Sequence, residues 1–397
     1  VTSYHNVPDR FCADQWSSVL MSRENWRPDP VALAEGRAPV YVATKLFEYA
    51  GRMLSAAVEE ALVRGLRRGL ATAKLRSAGN LAFLPFRDSN EAVDPSVTDA
   101  ALVTRQIYEL DTAAIRRSYA VVALLNDPQK DSGVCFEVGY AAALGRPIMP
   151  IVNDFIDYRY DPWGWIYPLD PILCTLAPAI LKEASLPAAA QGDRRRLYRR
   201  AQDTGITNVQ ERVADAGSEL VRAPGQFRVA LPAPNPPGAR PRVHLEFGGG
   251  LYEWQRLLLT EALRQLQAAE LPCEITTSRR YEPRDGASDL GEAIKADIAA
   301  VLGAEIVVTL GDGADMDAGI AALQGLARGH DRKIILYYSG ATRWVAASRD
   351  PENRNLMLEQ SADLLIRALD QLPAAVGQLL APGASQATEG HANESPT

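Results

Sequence analysis

Asp131-Ser-Gly-Val-Cys-Phe-Glu137-Val-Gly-Tyr-Ala-Ala-Ala-Leu-Gly145 is the stretch whose reading decides the fold. It follows a strand-like apolar run, Tyr119-Ala-Val-Val-Ala-Leu-Leu125, and reads as a loop feeding a buried helix. Between Ser132 and Gly145 Glu137 is the only charged residue, and its neighbours are apolar or small. A carboxylate in such a place costs free energy unless something pairs with it or uses it. Glu137 is therefore a candidate for chemistry.

The same strand and helix rhythm extends to both sides. Val40-Tyr-Val-Ala43 reads as a strand, followed by an amphipathic helix from about Glu48 to Arg68. A second strand, Leu81-Ala-Phe-Leu-Pro85, leads into a polar loop around Arg87 to Asp99, and the alternation continues to Ile151. Such alternation predicts a parallel sheet covered by helices. The proline-rich run Leu231-Pro-Ala-Pro-Asn-Pro-Pro-Gly-Ala-Arg-Pro241 marks a boundary, and Val243-His-Leu-Glu-Phe247 opens a second series. The expected layout is an N-terminal arm over 1–38, an α/β domain over 39–180 and a helical, proline-rich linker over 181–241. A second α/β domain over 242–381 and a disordered tail over 382–397 complete it. Two domains are also what 397 residues imply.

The two series are related. Asp111-Thr-Ala-Ala-Ile-Arg-Arg-Ser-Tyr-Ala-Val-Val-Ala-Leu124 matches Asp297-Ile-Ala-Ala-Val-Leu-Gly-Ala-Glu-Ile-Val-Val-Thr-Leu310 at a fixed offset. Without a gap, the same offset pairs Asp131 with Asp317, Gly133 with Gly319, Gly139 with Gly325 and Ile148 with Ile334. Glu137 falls on Leu323, and Ser132 on Ala318. A carboxylate needed only to build this helix would be needed in both copies, so its loss from one argues for a chemical role in the other. The fold expected is two tandem Rossmann-like or flavodoxin-like α/β domains.

Composition narrows the function classes. With 47% hydrophobic residues and a net charge of −7, the chain has the make-up of a globular protein without electrostatic reason to seek nucleic acid. The cluster Arg194-Arg-Arg-Leu-Tyr-Arg-Arg200 is the local exception and reads as a solvated helix face. Cys12, Cys135, Cys174 and Cys273 are scattered, and His5, His244, His330 and His391 stand apart, so neither a disulfide framework nor a metal site is expected. No apolar run reaches membrane-span length and no leader pattern opens the sequence, which makes a cytoplasmic protein the expectation.

In parallel α/β sheets ligands sit beyond the carboxyl ends of the strands. Asp131 lies on such a loop, and Glu137 lies in the first turns of the next helix, whose positive end is expected to help keep it ionised. Asp111 is read as beginning the preceding helix, and Tyr41 and Phe47 as flanking the end of the first strand. A carboxylate without a basic triad suits attack on an electrophilic sugar carbon, and further carboxylates suit proton delivery to a leaving group.

These residues resemble the nucleoside 2-deoxyribosyltransferase family. The matching features are Val40-Tyr-Val-Ala-Thr-Lys-Leu-Phe47, Asp111-x-x-x-Ile115-x-x-Ser118, Asp131-Ser-Gly-x-x-x-Glu137-x-Gly-Tyr-Ala141 and the strand lead-in Gly145-Arg-Pro-Ile148. The resemblance covers roughly 39–160 well and 242–372 as a decayed copy. It implies that Glu137 is the nucleophile, that Asp111 and Asp131 bind and protonate the leaving base, and that Tyr41 orients Glu137. It further places Phe47, Ser132 and Gly133 at the substrate.

Family members also close the site with an Asn-x-Met segment from a neighbouring subunit. That segment is missing after Ile151 but present as Asn355-Leu-Met357, so the resemblance implies an intrachain pseudo-dimer in which the second domain lends Asn355 and Met357 to the first. The implied reaction cleaves or transfers the N-glycosidic bond of a nucleoside or nucleoside monophosphate without cofactor or metal. The partners implied are that substrate and a free nucleobase, with further homo-oligomerisation open. An N-glycoside hydrolase using the same site, and a non-catalytic nucleotide-binding or sensing protein, are the competing readings. A dinucleotide-binding protein is disfavoured because Gly248-Gly-Gly250 is no Gly-x-Gly-x-x-Gly fingerprint.

Overall fold

A computed structural model describes residues 29–45, 49–92, 99–126, 130–152, 158–160, 165–182, 209–248, 253–280, 290–312, 316–340 and 355–381. Phe47, most of the proposed arm, the 194–200 cluster and the 382–397 tail lie outside the described residues.

The first unit runs α1 (Pro30–Ala34), β1 (Val40–Ala43), α2 (Tyr49–Thr72), β2 (Ala82–Phe83), α3 (Pro85–Ala92), α4 (Ala100–Arg117), β3 (Val121–Leu124), α5 (Ser132–Ala143) and β4 (Ile148–Val152). A small hairpin of β5 (Tyr158–Tyr160) and β6 (Trp165–Tyr167) follows, then α6 (Pro171–Leu176), β7 (Leu181–Lys182) and the helix 209–222, α7. The second unit runs β8 (Arg242–Phe247), α8 (Glu253–Ala268), β9 (Glu274–Thr277), α9 (Leu290–Gly303), β10 (Ile306–Leu310) and α10 (Ala318–Gly329). It ends with β11 (Lys333–Tyr337), α11 (Leu356–Ser361), β12 (Leu364–Ile366) and α12 (Leu372–Leu380).

Each unit is a five-stranded parallel sheet, ordered β2-β1-β3-β4-β7 in the first and β9-β8-β10-β11-β12 in the second. Both orders reverse direction between the first strand of the unit and the third, the doubly wound pattern in which ligands collect at the reversal. Strands covered on both faces can be apolar throughout, which is why β3, with Val121 to Leu124 all buried, shows no alternation. The chain is thus α/β with two Rossmann-like units. Helix α7, within the stretch read as linker, packs on the first of them. Val213 and Leu220 join Leu62 and Leu66 in one cluster, and Tyr119 donates to the Leu220 carbonyl at 3.3 Å.

Two local expectations are overturned. Residues 87–92, expected within a polar loop, belong to α3, which begins at Pro85. Pro85 opens it, where a missing N–H costs nothing, and the Asp88 carboxylate accepts from Leu84 N–H at 2.8 Å. Asp111 does not begin a helix. Helix α4 already starts at Ala100, where Asp99 accepts from Leu102 N–H at 3.2 Å, so Asp111 sits well inside it.

The two units meet through α5 and α10. All twelve residues of α5 are buried, because its own sheet covers one side and α10 the other. The contact is reciprocal in the aligned numbering. A Cβ on Gly139 would collide with the Ala322 carbonyl, and one on Gly325 with the Phe136 carbonyl. Phe136, Tyr140, Leu323 and Leu326 consequently share a single apolar core. Gly139→Val should therefore destabilise the whole chain by several kcal/mol, an overpacking cost against rigid backbone. An equivalent Gly→Val change at exposed Gly225, where an added Cβ meets nothing, should cost far less. Thermal unfolding of the two variants checks this, and equal melting temperatures would refute it.

Candidate functional site

Tyr41 stands in the middle of β1, paired with Val121 of β3, and is fully buried. Its ring stacks on Phe83 of β2, with centroids 5.6 Å apart, which aims its hydroxyl across the sheet toward α5. There it donates to Glu137 Oε1 at 2.6 Å. The bond spans ninety-six residues of sequence, so it depends on the sheet register and the phase of α5 being right together.

Asp111, on the buried face of α4, completes the pair of interior carboxyls, and Ser89 of α3 donates to its Oδ1. Burial is the leading influence on both. It pushes Asp111 up to about 7, against which the Ser89 hydrogen bond works. Burial also drives Glu137 well above the carboxylate range; the charge of Asp111 adds to the rise and the Tyr41 hydrogen bond opposes it. Desolvation thus works against the helix dipole that was expected to favour the ionised form of Glu137. Glu137 lies beyond the first turn, where that field has faded, and desolvation outweighs it. Chemically, two interior carboxyls whose burial disfavours ionisation can supply an acid and a carboxylate.

Asp131 caps α5, its Oδ1 accepting from Gly133 N–H at 2.9 Å and Val134 N–H at 3.1 Å. Ser132 and Gly133 form the first turn, both buried. Against that turn lies Asn355 from the second unit. A Cβ on Gly133 would come within 2.7 Å of Asn355 Oδ1 and 2.8 Å of its Nδ2, so only glycine admits the amide here. Asn355 also caps α11, accepting from Met357 N–H at 2.9 Å, and Met357 packs into the shared core. The structure thus brings Tyr41, Glu137 and Asp111 together, and seats Asn355 on the capped turn of Asp131, Ser132 and Gly133.

The matched place in the second unit is built differently. Asp317 caps α10 as Asp131 caps α5, and Asp170 lies on Gly319 as Asn355 lies on Gly133. Yet His244 takes the register position of Tyr41, and Leu323 replaces Glu137. Buried Arg280 pairs with Glu246 at 2.9 Å and with Asp297 at 3.1 Å, while Glu246 also accepts from Ser278 at 2.7 Å and contacts His244 at 2.8 Å. Side chains fill that slot with an ion-pair network. Among the described residues no group of three His, Cys, Asp or Glu side chains is placed to hold a metal ion. No helix among them is long and apolar enough to cross a membrane.

Reading residues alone missed Ser89, because it sat in what looked like a loop. It missed the Arg280 network as well, since its members are spread over three elements. The Gly133–Asn355 fit was signalled by the aligned glycines, though nothing local named the partner.

Residues 40–218 match the family described as Nucleoside 2-deoxyribosyltransferase. That match spans the first α/β unit. No curated protein matches the chain. Among solved structures it is similar to a conserved protein from Enterococcus faecalis V583, at 16% identity over 36% of this chain and 100% of that one, TM-score 0.31. It is also similar to a 2-deoxyribosyltransferase from Bacillus psychrosaccharolyticus, at 17% identity over 33% of this chain and 90% of that one, TM-score 0.27. A third, the glycotransferase of kitacinnamycin, shows 13% identity over 89% of this chain and 92% of that one, TM-score 0.26.

The Asp111 environment makes a stability prediction. A carboxyl raised to about 7 favours the folded state while protonated, so this contribution is complete below pH ~4 and is lost as pH rises through about 7. Asp111→Asn keeps an acceptor for Ser89 and removes the titration. Calorimetry should find the variant more stable than the parent at pH 8, by on the order of a few kcal/mol, and little changed at pH 4. A constant difference across that range would contradict the assignment.

Proposed function

We propose that the first unit breaks the N-glycosidic bond of a nucleoside or nucleoside monophosphate through a covalent glycosyl ester on Glu137. The observation that carries this reading is the Tyr41–Glu137 hydrogen bond of 2.6 Å beside a second interior carboxyl, Asp111, with a pKa raised to about 7. Glu137 attacks the anomeric carbon as its carboxylate; a C–O bond forms and the C–N bond breaks, with inversion. Asp111 gives its proton to the departing base. A second base or water then attacks from the opposite face and restores the configuration, the two-step logic of retaining glycosidases. Tyr41 holds the Glu137 carboxylate in line and disperses its charge. Asp131, tied by one oxygen to the α5 turn, offers its carboxylate to the base.

The reciprocal α5–α10 contact supports reading the second unit as a decayed copy, so that the chain forms a pseudo-dimer within itself. In this reading Asn355 and Met357 close the sugar side of the one working site, and the Arg280 network explains why there is no second. The 2-deoxy sugar is the easier substrate, since a 2′-hydroxyl destabilises an oxocarbenium-like transition state.

A panel of nucleosides and 5′-monophosphates, each with and without a second free base, tests the proposal. Base exchange identifies a transferase and base release alone a hydrolase; absence of turnover across the panel would sink both. Glu137→Ala should lower kcat by about a thousandfold or more. Tyr41→Phe, which removes one hydrogen bond to a charged group, should cost roughly ten- to a hundredfold. Unchanged rates in Glu137→Ala would overturn the nucleophile assignment.

A further inference from the structure

Helix α11 is only six residues long, yet it carries Asn355 at its start and lies between the two units. What holds it is an amide from α10. Gln324 is completely buried, and its Nε2 donates at 2.8 Å to the Leu358 carbonyl and at 2.8 Å to Ser361 Oγ, one near the middle of α11 and one at its end. Among the described residues no group donates to Gln324 Oε1, which is itself buried. A buried amide oxygen without a partner costs stability. Position 324 aligns with Val138 of α5, and that valine fills the same place without polar atoms. Packing alone would be served by an apolar residue there.

We infer that Gln324 is a positioning residue for the active site in the other unit. Its two donated hydrogen bonds fix the azimuth and height of α11, and so hold the Asn355 amide against Gly133 at the mouth of the Glu137 site. Gln324 touches neither substrate nor the reacting atoms. It acts through α11. The inference rests on the proposed site for its kinetic consequence, while its structural part stands on the hydrogen bonds alone. The asymmetry fits the division of labour. The matched helix α6, whose cap Asp170 lies on Gly319, packs against α5, where the residue aligned with Gln324 is Val138.

Gln324→Leu is close in volume and removes both bonds. Ser361 Oγ still donates to the Leu358 carbonyl at 3.0 Å, so neither former acceptor is stranded. The full-length variant should keep or gain melting temperature. Hydrogen exchange over residues 355–362 should speed up at least tenfold while α10 and the first unit stay protected. KM for the nucleoside should rise about five- to tenfold with kcat within about twofold, because sugar placement is loosened and Glu137 is untouched. Ser361→Ala, which removes one of the two bonds, should give the same pattern at smaller size, and it carries the test should Gln324→Leu fail to fold. Exchange over 355–362 unchanged from the parent in the folded variants overturns the inference, as does a fall in melting temperature with exchange raised evenly across the second unit. If the parent turns over no nucleoside, the proposed function fails, and the exchange data still decide whether Gln324 latches α11.

Discussion

The backbone-to-backbone approach of α5 and α10 is the constraint on which the rest depends. Glycine at 139 and at 325 lets each helix press on a carbonyl of the other, at Ala322 and Phe136. At that separation no water fits between the helices, so α10 covers the side of α5 that its own sheet leaves open. Sealing is what makes Glu137 unusual: in a solvated helix its pKa would be ordinary and its hydrogen bond to Tyr41 would compete with water. The same approach brings α11 over the first turn of α5. One packing decision therefore sets the dielectric around the carboxylate and delivers Asn355 of the other unit to the first turn of the same helix.

The two slots show how differently one framework can manage buried charge. In the first, a phenol donates to Glu137 and a serine hydroxyl to Asp111, no cation is paired with either among the described residues, and burial raises the proton affinity of both. In the second, Arg280 supplies a permanent positive charge, and Glu246 is held down at about 2 despite its burial. A carboxylate neutralised by a guanidinium is stable and inert. One without such a cation keeps its basicity. Replacing Glu137 by Leu323 without such a cation would merely have left an apolar slot. With its members at 0–1% exposure, the network packs the matched slot of the second unit as core.

Much of this was legible in the residues because the decisive signals are repeated. Strand β3 and helix α5 were readable from an apolar run followed by a capped, nearly uncharged helix, and the gapless offset carried that reading to β10 and α10. Asp131 and Asp317 cap their helices in the same way, as the alignment required. The failures came where local chemistry was ambiguous. Arg87 to Asp99 is polar enough to look like a loop, but α3 satisfies its first turn through Asp88 and turns Ser89 inward. Asp111 looked like a helix start because aspartate is favoured there. Its real setting, inside α4 and facing another element, depends on tertiary structure. So does the pKa of Glu137, since a helix dipole can be read from sequence and desolvation cannot.

If the second unit is a decayed copy, as proposed above, the arrangement of α11 bears on why it would be retained without a residue matching Glu137. A site completed by a neighbouring copy needs only a scaffold and a short capped helix from that copy, and neither depends on the neighbour's chemistry. Once both copies lie in one chain, the two slots no longer have to be alike, as they would in a symmetric dimer. Val138 and Gln324, at aligned positions, show that freedom at a single residue: one packs, and the other holds a helix. A symmetric assembly with glutamine at both positions would bury two unsatisfied amide oxygens, and with valine at both it would hold neither helix. The fused chain escapes the choice.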